Sequence, residues 1–249
     1  MNKILENHLN LENKKNLLEN HINFLSKHRG INECLEYGKF IHSDNPDFNI
    51  FFPFSNESLE KMNKEYTIYL PQWIFINEQM KLKYKKVASL TYMVLANEKA
   101  RWEINKKIII KRANSLSDIE DFSVTQAWGF CETEEKFNQA YSWMRQKNIE
   151  NLDDNTQNFY VAYDNEKPVG VTLCIYYKNI AGIYAVATLP EYRKKGVSTT
   201  LIQRVVDDAN NNNIAAITLQ TYTESYAHSF YKKLGFEDVF DCGILKPIN

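Results

Sequence analysis

The stretch Ile183 to Leu201, IYAVATLPEYRKKGVSTTL, limits the fold of this chain more than any other part of it. An apolar run that stops at Pro190 reads as a buried strand over 181–188, because proline neither donates to a ladder nor continues it. Past Gly196 the apolar residues Leu201, Ile202, Val205 and Val206 share one helical face, which predicts a helix over 197–211. A strand and an amphipathic helix are therefore joined by one short basic turn. The first turn of any helix leaves N–H groups without intrahelical partners, and the macrodipole adds roughly half a positive charge there. Gly196 lets the backbone come close to an anion, Ser198 and Thr199 are small and carry hydroxyls, and Arg193, Lys194 and Lys195 bring positive charge to the rim. Such a turn suits a phosphate.

The rest of the C-terminal half continues in the same alternation of periods. Strand 107–112, helices 115–129 and 133–148, and strands 157–164 and 168–178 precede the strand at 181–188. Strand 214–221, helix 224–234 and a last strand near 236–245 follow the helix at 197–211. Asp164 to Pro168 reads as a hairpin loop and Asn210 to Asn213 as a polar helix stop. In the N-terminal half, Ile4, Leu9, Leu11, Leu17, Leu18, Ile22 and Leu25 have near-helical spacing and predict one or two amphipathic helices within 1–28. Strands at about 48–54, 66–76 and 88–95 and helices at about 57–65 and 77–84 are expected after them. The charged segment Glu98 to Lys107 separates the halves, so the expected units are 1–106 and 107–249. The aromatic residues of the first half, Phe51, Phe52, Tyr66, Tyr69 and Trp73 among them, read as strand core.

Composition narrows the classes of partner. Thirty Lys and Arg against 31 Asp and Glu give a net charge of -1, which supplies no field for nucleic acid. Cys34, Cys131, Cys174 and Cys242 form no CxxC pair and no Cys/His cluster, so reduced thiols and no metal are expected. No run of 18 uncharged apolar residues occurs, and the expectation is a cytoplasmic protein without a membrane contact. Oligomeric state is not legible here.

Two motifs in order carry a resemblance. Arg193-x-x-Gly196-x-Ser198, directly after a strand that ends in proline, and Ala227-x-x-x-Tyr231-x-x-x-Gly235-Phe236 resemble motifs A and B of the GCN5-related N-acetyltransferase (GNAT) family. The resemblance covers residues 107–249. It implies an α/β (α+β) fold, a mixed and mostly antiparallel sheet flanked by helices and splayed between its fourth and fifth strands, with coenzyme A in the cleft. On that pattern Val186, Ala187 and Thr188 pair with the pantetheine arm in the manner of an added strand. The pyrophosphate lies on the N–H groups of Lys194, Lys195, Gly196, Val197, Ser198 and Thr199, beside Arg193. Ala227 and Tyr231 come from motif B. Ser198 departs from the usual second Gly or Ala, and Glu224 stands where many members have an Asn facing the pantetheine. The N-terminal half resembles the degenerate unit of two-unit acetyltransferases around Leu70-Pro71-Gln72-Trp73, with no phosphate turn of its own.

The implied activity is transfer of an acetyl group from acetyl-coenzyme A to a primary amine of a small molecule or peptide. Two proton tasks follow, since the amine attacks as its free base and the departing thiolate gains a proton. Tyr231, a phenol with an ordinary pKa of about 10, suits the second task; the other reading is a ring that packs its helix on the sheet. The base stays open among Glu132, Glu134 and Glu135 after Trp128-Gly129-Phe130, a water held by Tyr184 or Tyr222, and His228. A catalytically silent acyl-coenzyme A sensor or scaffold, or a longer acyl donor, are the alternatives.

Overall fold

The structure is a computed structural model that describes residues 10–61, 66–97 and 99–248. Ile4 and Leu9 of the expected N-terminal helices, and positions 62–65 of the expected helix 57–65, lie outside the described residues. In chain order the elements are α1 (Leu11–His28), β1 (Ile31–Leu35), β2 (Gly38–His42), β3 (Ile50–Pro53), β4 (Thr67–Pro71), α2 (Glu78–Lys83) and β5 (Tyr84–Leu95). Next come β6 (Ile109–Arg112), α3 (Leu116–Phe130), α4 (Glu134–Glu150), β7 (Gln157–Asp164), β8 (Lys167–Tyr177) and β9 (Ile180–Thr188). The chain ends with α5 (Val197–Asn211), β10 (Ala216–Tyr222), α6 (Tyr226–Lys233) and β11 (Phe236–Pro247).

Contacts divide these elements into two units, one of residues up to Ala96 together with those from Leu219 onward, the other Asn97–Thr218. The division falls at 96/97 and again at 218/219, whereas the sequence suggested one boundary at 106/107. Its cause is local. The segment before β6 is tied to α5, Trp102 N–H donating to Gln203 Oε1 at 3.0 Å. β11 in turn pairs with β4 and along the whole of β5, from Phe236↔Leu95 to Pro247↔Tyr84.

In the first unit the strand order is β1-β2-β3-β4-β11-β5, antiparallel except for β3 against β4. Phe40, Phe51, Ile68, Met80 and Leu245 are among the residues of its core, with the Phe40 and Phe51 rings stacked at 4.4 Å. A Cβ at Gly38 would lie 2.1 Å from Phe51 Cε2, so only glycine lets β2 cross that ring. α1 buries Leu17, Leu18, Ile22 and Leu25. It also buries His21, whose Nδ1 shares a hydrogen bond of 2.6 Å with the Tyr92 hydroxyl.

Three expectations for this half are corrected, and the hairpin β1–β2 was not foreseen. Glu57–Leu59 is a 3-10 turn where a helix over 57–65 was expected. The strand expected to reach 76 ends at Pro71, after which Ile74 N–H closes a turn on Pro71 O at 2.9 Å. β5 starts four residues before the expected 88, because pairing with β11 extends it.

The second unit has the order β10-β9-β8-β7-β6, antiparallel apart from the parallel pair β9 and β10. α3 and α5 both pack on β7, β8 and β9. α4 is fixed to α3 by buried Asn148, whose amide donates to Ser123 Oγ at 3.0 Å and Gln126 Oε1 at 2.9 Å. Among the described residues no helix is long and apolar enough to cross a membrane, and no group of three or more His, Cys, Asp or Glu is placed to hold a metal.

Candidate functional site

β9 and the turn after it form the first part of the site. Pairing of β9 with β10 covers Ile180 to Gly182 against Ala216 to Thr218, and β9 runs on to Thr188 beyond the last of those pairs. A bulge opposite Thr172 lies in this extension, since Val171 faces Ala187 while Leu173 faces Tyr184. Ala185 there is left-handed, with φ 51°, and Thr172 Oγ1 donates to Tyr184 O at 3.1 Å. Bulges re-aim a strand, and they cluster near functional sites. Leu189 N–H donates to Val169 O at 3.0 Å, so the alternation of the antiparallel ladder turns the backbone N–H of Thr188 away from β8. The end of α3 lies against this strand end. A Cβ at Gly129 would come within 2.7 Å of Ala187 Cβ and 3.2 Å of Thr188 N, which explains a glycine in Trp128-Gly129-Phe130.

The turn itself has two left-handed residues, Lys194 at φ 62° and Gly196 at φ 78°. Gly196 is the N-cap of α5 and offers no side chain to the helix. Every other α-helix among the described residues is capped by a side-chain oxygen, from Asn10, Asn77, Ser115, Thr133 or Ser225. Among these α-helices only α5 opens with no side-chain cap. Gly170 brings α5 onto the sheet at this point, because a Cβ there would lie 2.5 Å from Val197 Cγ1.

The side chains around the turn have mixed duties. Arg193 is exposed and lies across the surface, Nη2 donating to Gly129 O at 3.1 Å and Nε to Thr188 O at 3.4 Å. It therefore ties the end of α3 to the end of β9. The Ser198 hydroxyl is shared with Thr188 Oγ1 at 2.9 Å, and Lys195 Nζ sits 4.9 Å from the Tyr192 ring. Lys194 is exposed, and Thr199 lies half-buried in the first turn of α5. Sequence reasoning missed Asn105, whose amide donates to Lys195 O at 2.9 Å. A loop asparagine in a charged segment carries no signal that could have found it.

Motif B lies in the other unit. Ser225 caps α6 by accepting from His228 N–H at 3.1 Å, and Ala227 is half-buried on the same helix. Tyr231 is 8% exposed, its ring is edge-on to Phe236 at 5.8 Å, and its hydroxyl has no hydrogen-bond partner among the described residues. Burial pushes the Tyr231 phenol above its ordinary pKa, so it stays protonated and is a donor at neutral pH. Glu224 is exposed with φ 60°, and its N–H donates to His228 Nδ1 at 3.2 Å. His228 Nε2 then carries the proton and donates to Asp238 Oδ1 at 2.9 Å. Both ring nitrogens are engaged, which removes His228 from the open list of bases. Thr91, Thr223, Glu224, His228, Asp238 and Asp241 line a cleft of about 330 Å³ in this unit.

The other base candidates fall apart in space and character. Glu132, Glu134 and Glu135 are exposed around the start of α4, where carboxylates sit well against the macrodipole. Tyr184 is buried and burial raises its pKa; Tyr222 is 58% exposed.

Comparison with known proteins connects both motifs. Residues 118–236 match the model of the acetyltransferase (GNAT) family. An uncharacterised N-acetyltransferase of Methanocaldococcus jannaschii is 32% identical over 88 residues, 32% of this chain and 39% of that protein. N-alpha-acetyltransferase 30 of Schizosaccharomyces pombe is 34% identical over 83 residues, 31% of this chain and 55% of that protein. The chain thus spans less than two thirds of the length of these relatives. The solved structure of a GCN5-related N-acetyltransferase from Kribbella flavida has a TM-score of 0.67 at 10% identity, covering 94% of this chain and 96% of that one. Residues 118–236, which hold both the Gly196 turn and Tyr231, form a domain of the acetyltransferase (GNAT) family, and the chain has the mixed, mostly antiparallel sheet fold of the Kribbella flavida structure.

Proposed function

We propose that the protein transfers an acetyl group from acetyl-coenzyme A to a primary amine of a small molecule or peptide, with residues 107–249 as the catalytic domain. The uncapped start of α5 carries the reading. Five α-helices have a side-chain cap, whereas the N-cap of α5 is a left-handed glycine, and α5 follows the motif-A arginine. A pyrophosphate supplies the acceptors that the N–H groups from Lys194 to Thr199 lack. Both curated relatives carry the name N-acetyltransferase, which supports an amine acceptor.

On this reading the edge of β9 at Val186 to Thr188 holds the pantetheine arm through its backbone. Bound acetyl-coenzyme A supplies the thioester carbonyl that the free amine attacks, forming C–N as C–S breaks. Tyr231 then gives its proton to the departing sulfur, and the proton that the amine nitrogen sheds restores the phenol. A buried phenol with a raised pKa, whose hydroxyl has no partner among the described residues, is suited to that donation. Arg193 acts through the strand end it ties to α3, and Glu224 acts through its backbone turn.

The test is release of free thiol from acetyl-coenzyme A across a panel of primary amines and peptides. Saturable, amine-stimulated release is expected. Coenzyme binding without stimulated release by any amine would refute the transferase reading.

A further inference from the structure

We infer that Asn105, outside both motifs, is a positioning residue that aims the backbone donors of the coenzyme turn; the inference rests on the function proposed above. Two hydrogen bonds link the loop before β6 to the start of α5, and a third passes from Thr200 back to the turn. Asn105 Nδ2 donates to Lys195 O at 2.9 Å, Asn105 N–H donates to Thr200 Oγ1 at 3.1 Å, and Thr200 Oγ1 donates to Gly196 O at 2.9 Å. Asn105 is itself held, with Oδ1 accepting from Lys107 N–H at 3.0 Å and its carbonyl from Ile108 N–H at 3.0 Å.

Planarity of the peptide bond converts these contacts into a direction. In a trans peptide C=O and N–H point opposite ways. Fixing Lys195 O toward Asn105 aims the N–H of Gly196 away from that loop. Fixing Gly196 O on Thr200 does the same for the N–H of Val197. Two successive peptide planes are therefore set from behind, without using any of the donors that face the ligand. This solves a problem particular to α5. A side-chain cap would stabilise the helix start but would occupy its N–H groups. With Gly196 as N-cap the turn lacks such a cap and keeps the glycine's freedom. Asn105 restores the rigidity from the opposite side, and preorganised donors lose less on binding.

Trp102 and Arg101 extend the same strap along α5. Trp102 N–H reaches Gln203 Oε1 at 3.0 Å and Arg101 Nη2 reaches Asp207 Oδ1 at 3.4 Å. Loss of Asn105 alone therefore leaves the loop attached, and its effect falls on the turn.

The experiment titrates coenzyme A calorimetrically into the full chain and into Asn105→Ala, Thr200→Val and Thr200→Ser, with thermal midpoints of the ligand-free proteins. Asn105→Ala and Thr200→Val should each weaken binding about tenfold, the worth of one well-placed hydrogen bond. Thr200→Ser keeps the hydroxyl and should retain wild-type affinity. The ligand-free midpoint of Thr200→Ser should not move, and that of Asn105→Ala should fall by no more than a few degrees, the share of its lost hydrogen bonds. Wild-type affinity in Asn105→Ala, or a loss of affinity that only tracks a lowered midpoint, would overturn the inference and leave the function standing. A wild-type chain without saturable coenzyme A binding would instead overturn the function itself.

Discussion

Tyr231→Phe separates catalysis from packing because the two roles give opposite signs. The ring is 8% exposed and rests against Phe236, and phenylalanine keeps that contact. What is removed is a hydroxyl with no protein partner among the described residues. Burying an unpaired hydroxyl costs roughly 1–3 kcal/mol, and the small remaining exposure brings the expected gain toward the lower end. The variant should then be as stable as wild type or more stable by up to about 1 kcal/mol, a rise of roughly 2–4 °C in midpoint for a chain of this size. Turnover should fall about a hundredfold, near 3 kcal/mol of barrier, if Tyr231 protonates the thiolate. Burial raises the phenol's pKa, so the hydroxyl is neutral in folded and unfolded chains alike below about pH 10. Only above that does the unfolded chain ionise first and stability decline as pH rises, so the stability gain is constant across neutral pH. Thermal denaturation and thiol release on the same preparations provide the check. A lowered midpoint with unchanged turnover would refute the reasoning and make Tyr231 a packing residue.

Three further outcomes follow from the structure. Burial holds the His21 pKa down to about 3, below its ordinary 6.5, so its neutral form contributes stability in full above pH 6.5 that is lost as pH falls toward 3. Urea melts at pH 7 and pH 4 should show His21→Gln losing on the order of 3 kcal/mol less than wild type over that interval, and equal losses would contradict the assignment. Gly129→Ala puts a Cβ 2.7 Å from Ala187 Cβ, so a shift of backbone costing about 1–3 kcal/mol is expected in denaturant unfolding, with weakened coenzyme binding. Equilibrium dialysis should find one coenzyme A per chain, because the N-terminal half has no second glycine turn between a strand and a helix; two equivalent sites would show that half to be misread.

The strand, basic turn and helix from β9 to α5 were legible because three local signals agree there: an apolar run, a proline stop and a glycine before an amphipathic period. Helix starts at Ser115 and Thr133 were legible for a similar reason, since each hydroxyl caps its own third residue on. The start of α6 fell two residues later than expected because Glu224 adopts a left-handed conformation and Ser225 takes the cap. The β1–β2 hairpin was not legible. β1 is exposed along most of its length and so has no alternation to read, and Glu36-Tyr37 is not a marked turn pair. β5 gained its first four residues from pairing with β11, a partner distant in sequence. The contacts of Asn105 and of Arg193 depend on which loops meet, and no periodicity encodes that. The sequence named the turn and assigned Arg193 to the ligand; the hydrogen bonds by which Arg193 also joins α3 to β9 carry no sequence signal.

The most direct test of the account is a calorimetric titration of coenzyme A into wild type and Gly196→Trp. Residue 196 sits at φ 78°, a left-handed conformation that side chains rarely adopt, and its Cβ would lie 3.4 Å from Asn105 Cβ, so an indole there strains the turn and pushes on the Asn105 loop, displacing the N–H groups that a pyrophosphate would meet. Wild type should bind saturably with one coenzyme per chain, and Gly196→Trp, with an unchanged circular dichroism spectrum, should give no binding heat. Equal affinity in the two proteins would contradict the placement of coenzyme A on the α5 turn.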